Sequence, residues 1–123
     1  MLYPDFYTIV NQTSTDNYIE VLVRLNPKHF IFDAHFPDNP ITPGICTLQI
    51  VREIYSKKVE KELLLHKIKS MKFNRPMIPT EQELFTFKID FVEEEGKSHH
   101  LKVEVCNQEI LFSKINMHLQ EVE

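Results

Sequence analysis

The chain has 123 residues, 42% of them hydrophobic and 26% charged, which suits one soluble globular domain over residues 1–123. Its formal net charge of −4 argues against nucleic acid as the main partner, because phosphate binding needs a positive excess. No stretch approaches the roughly 18 apolar residues of a membrane span. The N-terminus also lacks the basic region of a signal peptide, so we expect a cytoplasmic location.

Apolar patterns in the first half of the chain predict strands followed by one long helix. Period-two alternation predicts a strand over residues 18–25, and a shorter strand over 7–10 precedes it. Residues 44–60 change to helical spacing, and their first three turns are apolar nearly all round, which indicates a helix buried by its surroundings. Residues 63–79 then have the pattern of a strand interrupted by prolines.

The second half of the chain is predicted to consist of strands joined by tight turns. Alternating apolar residues mark strands over 84–92, 101–105 and 110–119, with a turn around Gly96 and a bulge near Ser113. The apolar faces of these strands and the apolar helix cover each other best if one curved sheet wraps the helix. We therefore expect an α+β fold with five or six antiparallel strands.

The cysteines and histidines show no metal-site spacing. Cys46 and Cys106 form no CxxC motif, so we interpret them as reduced thiols of a cytosolic protein. The six histidines are dispersed, and His99 and His100 flank a predicted turn, where we expect them to be solvated. We predict no metal ligands in this sequence.

The segment HFPDNPITPG, residues 35–44, concentrates three of the seven prolines and one of the two glycines. Thr42 is expected to cap the long helix, Pro43 to take its first position, and Gly44 to expose its backbone in the first turn. The prolines then hold His35 at a nearly fixed distance from the free N–H groups of the helix start. This fits a base beside a carbonyl-polarising pocket, as proton abstraction next to a thioester requires, while a rigid loop with an incidental histidine is the alternative.

Two stretches carry a family resemblance. AHFPDNPITPGICTLQI resembles the active-site signature GHFPGxPxxPGVLxxE of the β-hydroxyacyl-acyl-carrier-protein dehydratases, and KFNRPMIPTEQ at 72–82 is similar to that family's KFRRPVVPGDQ. The matching positions are His35, Phe36, Pro37, Pro40, Pro43, Gly44, Phe73, Arg75, Pro76, Pro79 and Gln82. The resemblance implies a hot-dog fold, and homodimers whose sheets join edge to edge. A trimer of such dimers, a hexamer, is a further assembly that it allows.

The resemblance also implies a lyase of fatty acid biosynthesis, which removes water from a 3-hydroxyacyl thioester to give the trans-2-enoyl thioester. It assigns α-proton removal to His35 and donation to the thioester carbonyl to the Gly44 N–H, and it places the other subunit's acid at Gln49. Substrate binding in an apolar tunnel would fall to Phe36, Pro43, Ile45 and Phe73. Contact with the acidic acyl carrier protein would fall to Lys69, Lys72 and Arg75. No cofactor is expected besides the carrier's own pantetheine arm.

Gln49 is the main departure from the family pattern. An amide cannot supply a proton at neutral pH, and positioned acid–base groups contribute roughly 10²–10⁴-fold in rate. Gln49 could hold a water that relays the proton, His35 could make both transfers, or the chain could bind acyl groups without dehydrating them. Asp38 stands at a usual glycine, where a nearby carboxylate would raise the pKa of His35.

The residues leave two further functions open. Hot-dog thioesterases usually activate water with a carboxylate, and Glu53 lies one turn beyond Gln49 on the predicted helix. An acyl thioesterase is therefore the runner-up. A non-catalytic acyl-thioester-binding subunit, paired with an intact dehydratase, is the third hypothesis.

Overall fold

An antiparallel sheet of six strands wraps one long helix in the computed structural model, which describes residues 1–34 and 41–122. The predicted His35 and Phe36 lie outside the described residues. The elements in chain order are β1 (Tyr7–Ser14), β2 (Tyr18–Leu25), α1 (Phe30–Ala34), α2 (Gly44–Val59), β3 (Leu63–Phe73), β4 (Leu84–Glu94), a 3₁₀ turn (Glu95–Lys97), β5 (Ser98–Asn107) and β6 (Ile110–Glu121). The strand order across the sheet is β1-β2-β4-β5-β6-β3. This arrangement confirms the α+β class and the hot-dog fold.

The inner face of the sheet is built in rows that run across the strands. Ile19 lies opposite Ile89, which lies opposite Val103, and Val103 in turn lies opposite Ile115. Because partners in antiparallel strands share a face, the alternation of each strand produces one continuous apolar surface. The helix α2 covers this surface with Cys46, Leu48, Ile50, Val51, Ile54 and Tyr55.

Local turn and bulge chemistry follows the sequence predictions. Gly96 has φ +75° in the turn between β4 and β5, a conformation that glycine adopts without strain. In the pairing of β5 with β6, Val105 lies opposite Ser113 and Cys106 opposite Leu111. The intervening Phe112 is therefore an extra residue, and it confirms the bulge predicted near Ser113. The short helix α1, which the sequence pattern did not predict, buries Phe32.

Strand β3 lies at an edge of the sheet and is exposed along most of its length. Its register against β6 shifts twice, which leaves His66 and Lys69 as extra residues. Leu65, Ile68 and Phe73 lie opposite Leu119, Met117 and Ser113, so these three side chains belong to the inner face. All three are nevertheless exposed, although Gly44 at the start of α2 lies against Phe73. No helix in the described ranges is long and apolar enough to cross a membrane.

The prediction that His99 is solvated is wrong. His99 is 0% exposed, and its ring lies between the Tyr55 hydroxyl, 2.6 Å from Nδ1, and Glu121 Oε2, 2.8 Å from Nε2. With the proton on Nε2, the ring accepts from Tyr55 and donates to Glu121. The hydrogen bond from His99, with that from Lys61, holds the pKa of Glu121 below its usual range. The alternation of β5 explains the burial, since His99 is in phase with the inward-facing Leu101.

We predict that His99→Phe lowers the free energy of unfolding by about 2 kcal/mol, because the ring is kept while the buried Tyr55 hydroxyl loses its acceptor. Urea unfolding followed by circular dichroism measures this. Tyr55→Phe alone should cost about 1 kcal/mol. The double variant, His99→Phe with Tyr55→Phe, should lower the free energy of unfolding by less than the sum of the two single variants, since the unpaired Tyr55 hydroxyl is then gone. Strictly additive costs would show that the two side chains are not coupled.

Candidate functional site

The start of α2 differs from the sequence prediction in one position. Pro43, with φ −61° and ψ 143°, is the N-cap residue, and Gly44 is the first helical residue. The predicted Thr42 cap is wrong: its side chain is 7% exposed, and its Oγ1 reaches no partner in the described part of the chain. The backbone explains this, because the Thr42 N–H donates to the Met77 carbonyl at 2.8 Å. That bond ties Thr42 into the loop after β3 and turns it away from the helix.

The first turn of α2 consequently presents unpaired backbone donors. The N–H groups of Cys46 and Thr47 both donate to the Pro43 carbonyl, at 2.9 and 3.3 Å. Within residues 1–34 and 41–122, the N–H groups of Gly44 and Ile45 have no acceptor. A helix start with free donors carries a partial positive charge, and it stabilises negative charge that develops on a carbonyl oxygen.

Gly44 borders a hollow of about 420 Å³ between the helix start and the loop after β3. Four predicted site residues come together here: Pro43, Gly44, Phe73 and Arg75. Gly44 lets the Phe73 ring lie close to the helix start, since a Cβ at this position would stand 2.8 Å from Cζ of Phe73 and displace the ring. Ile45 follows Gly44 and is 72% exposed, and it does not line the hollow.

Gln49 occupies a different side of α2. It follows Gly44 by five residues, which is about 140° around the helix, and it does not line the hollow. Its Nε2 donates to Glu53 Oε2 at 2.7 Å, and its Oε1 accepts from Arg52 Nε at 3.2 Å. The amide is therefore held in one orientation. Within one chain, Gln49, where the resemblance places the acid, therefore does not lie at the helix start.

Glu53 fastens the N-terminal segment to α2. Its carboxylate accepts from the backbone N–H groups of Leu2 and Tyr3, at 2.8 and 3.0 Å, and from the Tyr7 hydroxyl at 3.2 Å. Burial alone would raise the pKa of Glu53, but these bonds and the one from Gln49 outweigh it and hold the pKa below its usual range. Four donors leave this carboxylate poorly placed to activate a water.

Sequence reasoning did not identify the role of Glu53. Its backbone and hydroxyl partners lie 46 to 51 residues away in the chain, and no local spacing indicates such contacts. A groove of about 550 Å³ lies beside this cluster, between the N-terminal segment, α2 and the start of β3. Its walls include Tyr3, Ile9, Arg52 and Leu63.

The two cysteines do not provide a nucleophile. Cys46 and Cys106 are both free and buried, as the sequence predicted for reduced thiols. Burial raises the pKa of the Cys46 thiol, and it does the same, together with nearby acidic groups, for Cys106. Protonated thiols are weak nucleophiles, so covalent catalysis through cysteine is not supported.

The predicted carrier-contact residues lie along one edge of the molecule. Lys69 and Lys72 are exposed on β3, and Arg75 is exposed just beyond it at the hollow. Lys72 also lies opposite Lys114 of β6, which adds a further positive charge. A basic strip therefore leads along the sheet edge to the helix start.

Comparisons of sequence connect this site with dehydratases. Residues 11–114 match the family model of ApeI-like proteins, described as ApeI dehydratase. The 3-hydroxyacyl-acyl-carrier-protein dehydratase FabZ of Actinobacillus pleuropneumoniae serotype 5b is 31% identical over 72 residues. That alignment covers 51% of this chain and 46% of FabZ, so the chain spans about half the length of the curated relatives it matches.

Comparisons of structure show a shared fold. A chain of the dehydratase heterocomplex ApeI:P from Xenorhabdus doucetiae superimposes with a TM-score of 0.78 at 18% identity, over 92% of this chain and 96% of that one. A hypothetical thioesterase with coenzyme A from Streptococcus pneumoniae gives 0.66 at 12% identity, over 96% and 87%. These structures establish the hot-dog architecture, which dehydratases and thioesterases share. Because the family model covers well over half of the sequence, the chain belongs to the ApeI-like dehydratase family.

Proposed function

We propose that this protein is a dehydratase that eliminates water from a 3-hydroxyacyl group on acyl carrier protein and releases the trans-2-enoyl thioester. The uncapped start of α2 is the observation that carries the proposal. Its Gly44 N–H, which has no acceptor among the described residues, borders a hollow beside Phe73, and His35 precedes Gly44 by only nine residues in the sequence. The substrate's pantetheine arm is the only carrier group the reaction needs, and no further cofactor is proposed.

In the proposed reaction, the helix start donates a hydrogen bond to the thioester carbonyl, and His35 acts as the base. The Gly44 N–H donates to the thioester carbonyl, so negative charge that develops there as the α-proton leaves is stabilised. His35 takes the α-proton, and the electron pair of the broken C–H bond forms the new double bond. The C–O bond breaks at the 3-position, and the leaving hydroxide receives a proton to become water.

Gln49 is proposed to bind the leaving hydroxyl without protonating it. Its Oε1 is occupied by Arg52 and one N–H by Glu53, which leaves the second N–H as a donor of fixed direction. The proton that completes the water then comes back from His35. This assignment of roles to Gln49 and His35 accounts for an amide at the position where β-hydroxyacyl-acyl-carrier-protein dehydratases have an acid.

A second subunit is needed to complete this site, since Gln49 and Gly44 lie on different sides of α2. The edge strand β3 supports a homodimer joined edge to edge, because its exposed inner-face residues Leu65, Ile68 and Phe73 would then be covered. A hexamer built from three such dimers extends the proposal. ApeI:P is a heterocomplex, so a different hot-dog chain is the alternative partner.

The basic strip is proposed to receive the carrier protein. Lys69, Lys72 and Arg75 are exposed and lead toward the hollow at the helix start. Carrier proteins are acidic, so a positive strip at the entrance attracts them and directs the pantetheine arm inward.

We predict that the purified protein removes one water from members of a panel of 3-hydroxyacyl carriers, read by mass spectrometry, and that His35→Ala lowers the rate by roughly 10²–10⁴-fold. His29→Asn is the matched control, because it removes a histidine while keeping an acceptor for the Ile31 N–H, and it should leave turnover unchanged. Release of free thiol without enoyl product would identify a thioesterase instead. Binding without either product would identify a non-catalytic subunit.

We predict that Gln49→Glu speeds dehydration at low pH by up to about 10²-fold. The new carboxylate would meet Glu53 where the amide nitrogen now stands, 2.7 Å from Oε2. Two carboxylates at this distance cannot both ionise, so the pair keeps a proton and its pKa rises. The gain should disappear as pH rises through that pKa, in a profile of kcat/KM against pH. Gln49→Leu is the control, because it removes the amide without adding an acid. A lower dehydration rate of Gln49→Glu at every pH would contradict the prediction that the new carboxyl group acts as an acid.

We predict that the protein is a dimer in solution, measured by light scattering after size exclusion, and that Ile68→Lys converts it to monomer. A lysine on the inner face of β3 would place a charge in the proposed interface. Val10→Lys is the matched control on β1, the opposite edge of the sheet, and should remain dimeric. A wild-type monomer at micromolar concentration would exclude the homodimer and favour a partner chain.

A further inference from the structure

Three metal-ligating side chains meet on the outer face of the sheet, away from α2. His100 of β5 lies directly opposite His118 of β6, and Glu94 stands at the end of the neighbouring strand β4. The inner-face residues Leu101 and Met117 adjoin the two histidines in sequence, which places the imidazoles on the opposite face. This cluster is therefore separate from the helix start and its hollow.

The spacing of the cluster suits a metal ion better than a simple hydrogen bond. One ligand atom each from Glu94, His100 and His118 lies within 4.8 Å of the others. The His118 Nδ1 to Glu94 Oε1 distance is 3.4 Å, which is long for a charge-assisted hydrogen bond. Two ligands on a tetrahedral Zn²⁺, with bonds of about 2.1 Å, stand about 3.4 Å apart. The ligand atoms therefore need to approach one another by at most about 1.4 Å, through rotation of side chains that are partly or fully exposed.

The surroundings prepare the imidazoles as ligands. The His100 Nε2 is paired with Asn116 Oδ1, so Nε2 carries the proton and donates it there, which leaves the Nδ1 lone pair available for a metal. The two rings stack with their centroids 4.2 Å apart and 11° between their planes. Because imidazole lone pairs lie in the ring plane, one ring must rotate out of this stack before both histidines can bind the same ion.

A surface hollow adjoins the cluster and supplies further donors. Besides Glu94 and His118, it is lined by His66, Lys67, Glu95 and Ser98. His66 or Glu95 can offer a fourth ligand atom, and the carboxylate of Glu95 offsets the charge of Lys67.

We propose that Glu94, His100 and His118 form a binding site for a divalent transition metal, with Zn²⁺ the best match to two imidazoles and one carboxylate. Water or the nearby Glu95 completes the tetrahedron. The ion would join β4, β5 and β6 on the outer face. Sequence spacing did not reveal this site, because its three ligands come from three different strands.

The test is a titration of the full-length, chelator-treated protein with ZnCl₂ by calorimetry, together with thermal unfolding at each metal concentration. We expect one saturable site per chain with a dissociation constant in the micromolar range or below, and an unfolding temperature that rises with Zn²⁺. His118→Asn and Glu94→Gln should each weaken Zn²⁺ binding at least about tenfold. Asn116→Ala should weaken it by about 10–100-fold, because His100 loses the hydrogen bond from its Nε2 to Asn116.

His29→Asn is the matched control, since it removes a histidine next to α1 while keeping an acceptor for the Ile31 N–H. It should bind Zn²⁺ like the wild type. Binding only at millimolar Zn²⁺, or equal losses in His29→Asn and His118→Asn, would overturn the proposal. Unchanged binding in both His118→Asn and Glu94→Gln, with folding confirmed by circular dichroism, would overturn it as well.

Discussion

The burial of α2 against the inner face of the sheet is the constraint on which the rest of the structure depends. The helix is apolar around most of its first three turns, so no arrangement that leaves it on a surface would be stable. Wrapping it requires a sheet that is broad, curved and apolar on one side. Every strand that meets the helix supplies alternate apolar residues in matching rows, and the loop after β3 closes over the helix start. The placement of the Gly44 N–H therefore follows from core packing.

Much of this architecture was predictable because alternation and helical spacing are strong in this chain. Strand β2 runs over the predicted residues, α2 begins at Gly44, one residue after the predicted Pro43, and the bulge beside Ser113 follows from two incompatible apolar registers. The predictions that failed concerned residues whose contacts are distant in sequence. Thr42 would be a good cap by its type, but its N–H bond to Met77 takes it elsewhere. His99 was misjudged because its polarity and nearness to a turn were given more weight than its phase in β5.

The candidate site was predictable in its parts and not in its assembly. Pro43, Gly44, Phe73 and Arg75 line one hollow, although two segments far apart in the chain supply them. Gln49 lies on another side of the same helix, held between Arg52 and Glu53. A helix presents its residues around a full circle, so one copy cannot aim both groups at one substrate. The proposed dehydration therefore needs groups from two faces of α2, and a second subunit would have to supply one of them.

The two extra residues in β3 have a consequence for recognition. An unpaired sheet edge ordinarily accepts almost any extended peptide, which makes it a nucleus for aggregation. His66 and Lys69 interrupt the regular spacing of amides and carbonyls along this edge. A regular strand from an unrelated protein would leave some of these groups without hydrogen bonds, whereas a strand with complementary bulges would satisfy them. The edge is consequently selective by shape, and it discourages fibril growth while remaining open to a matched chain.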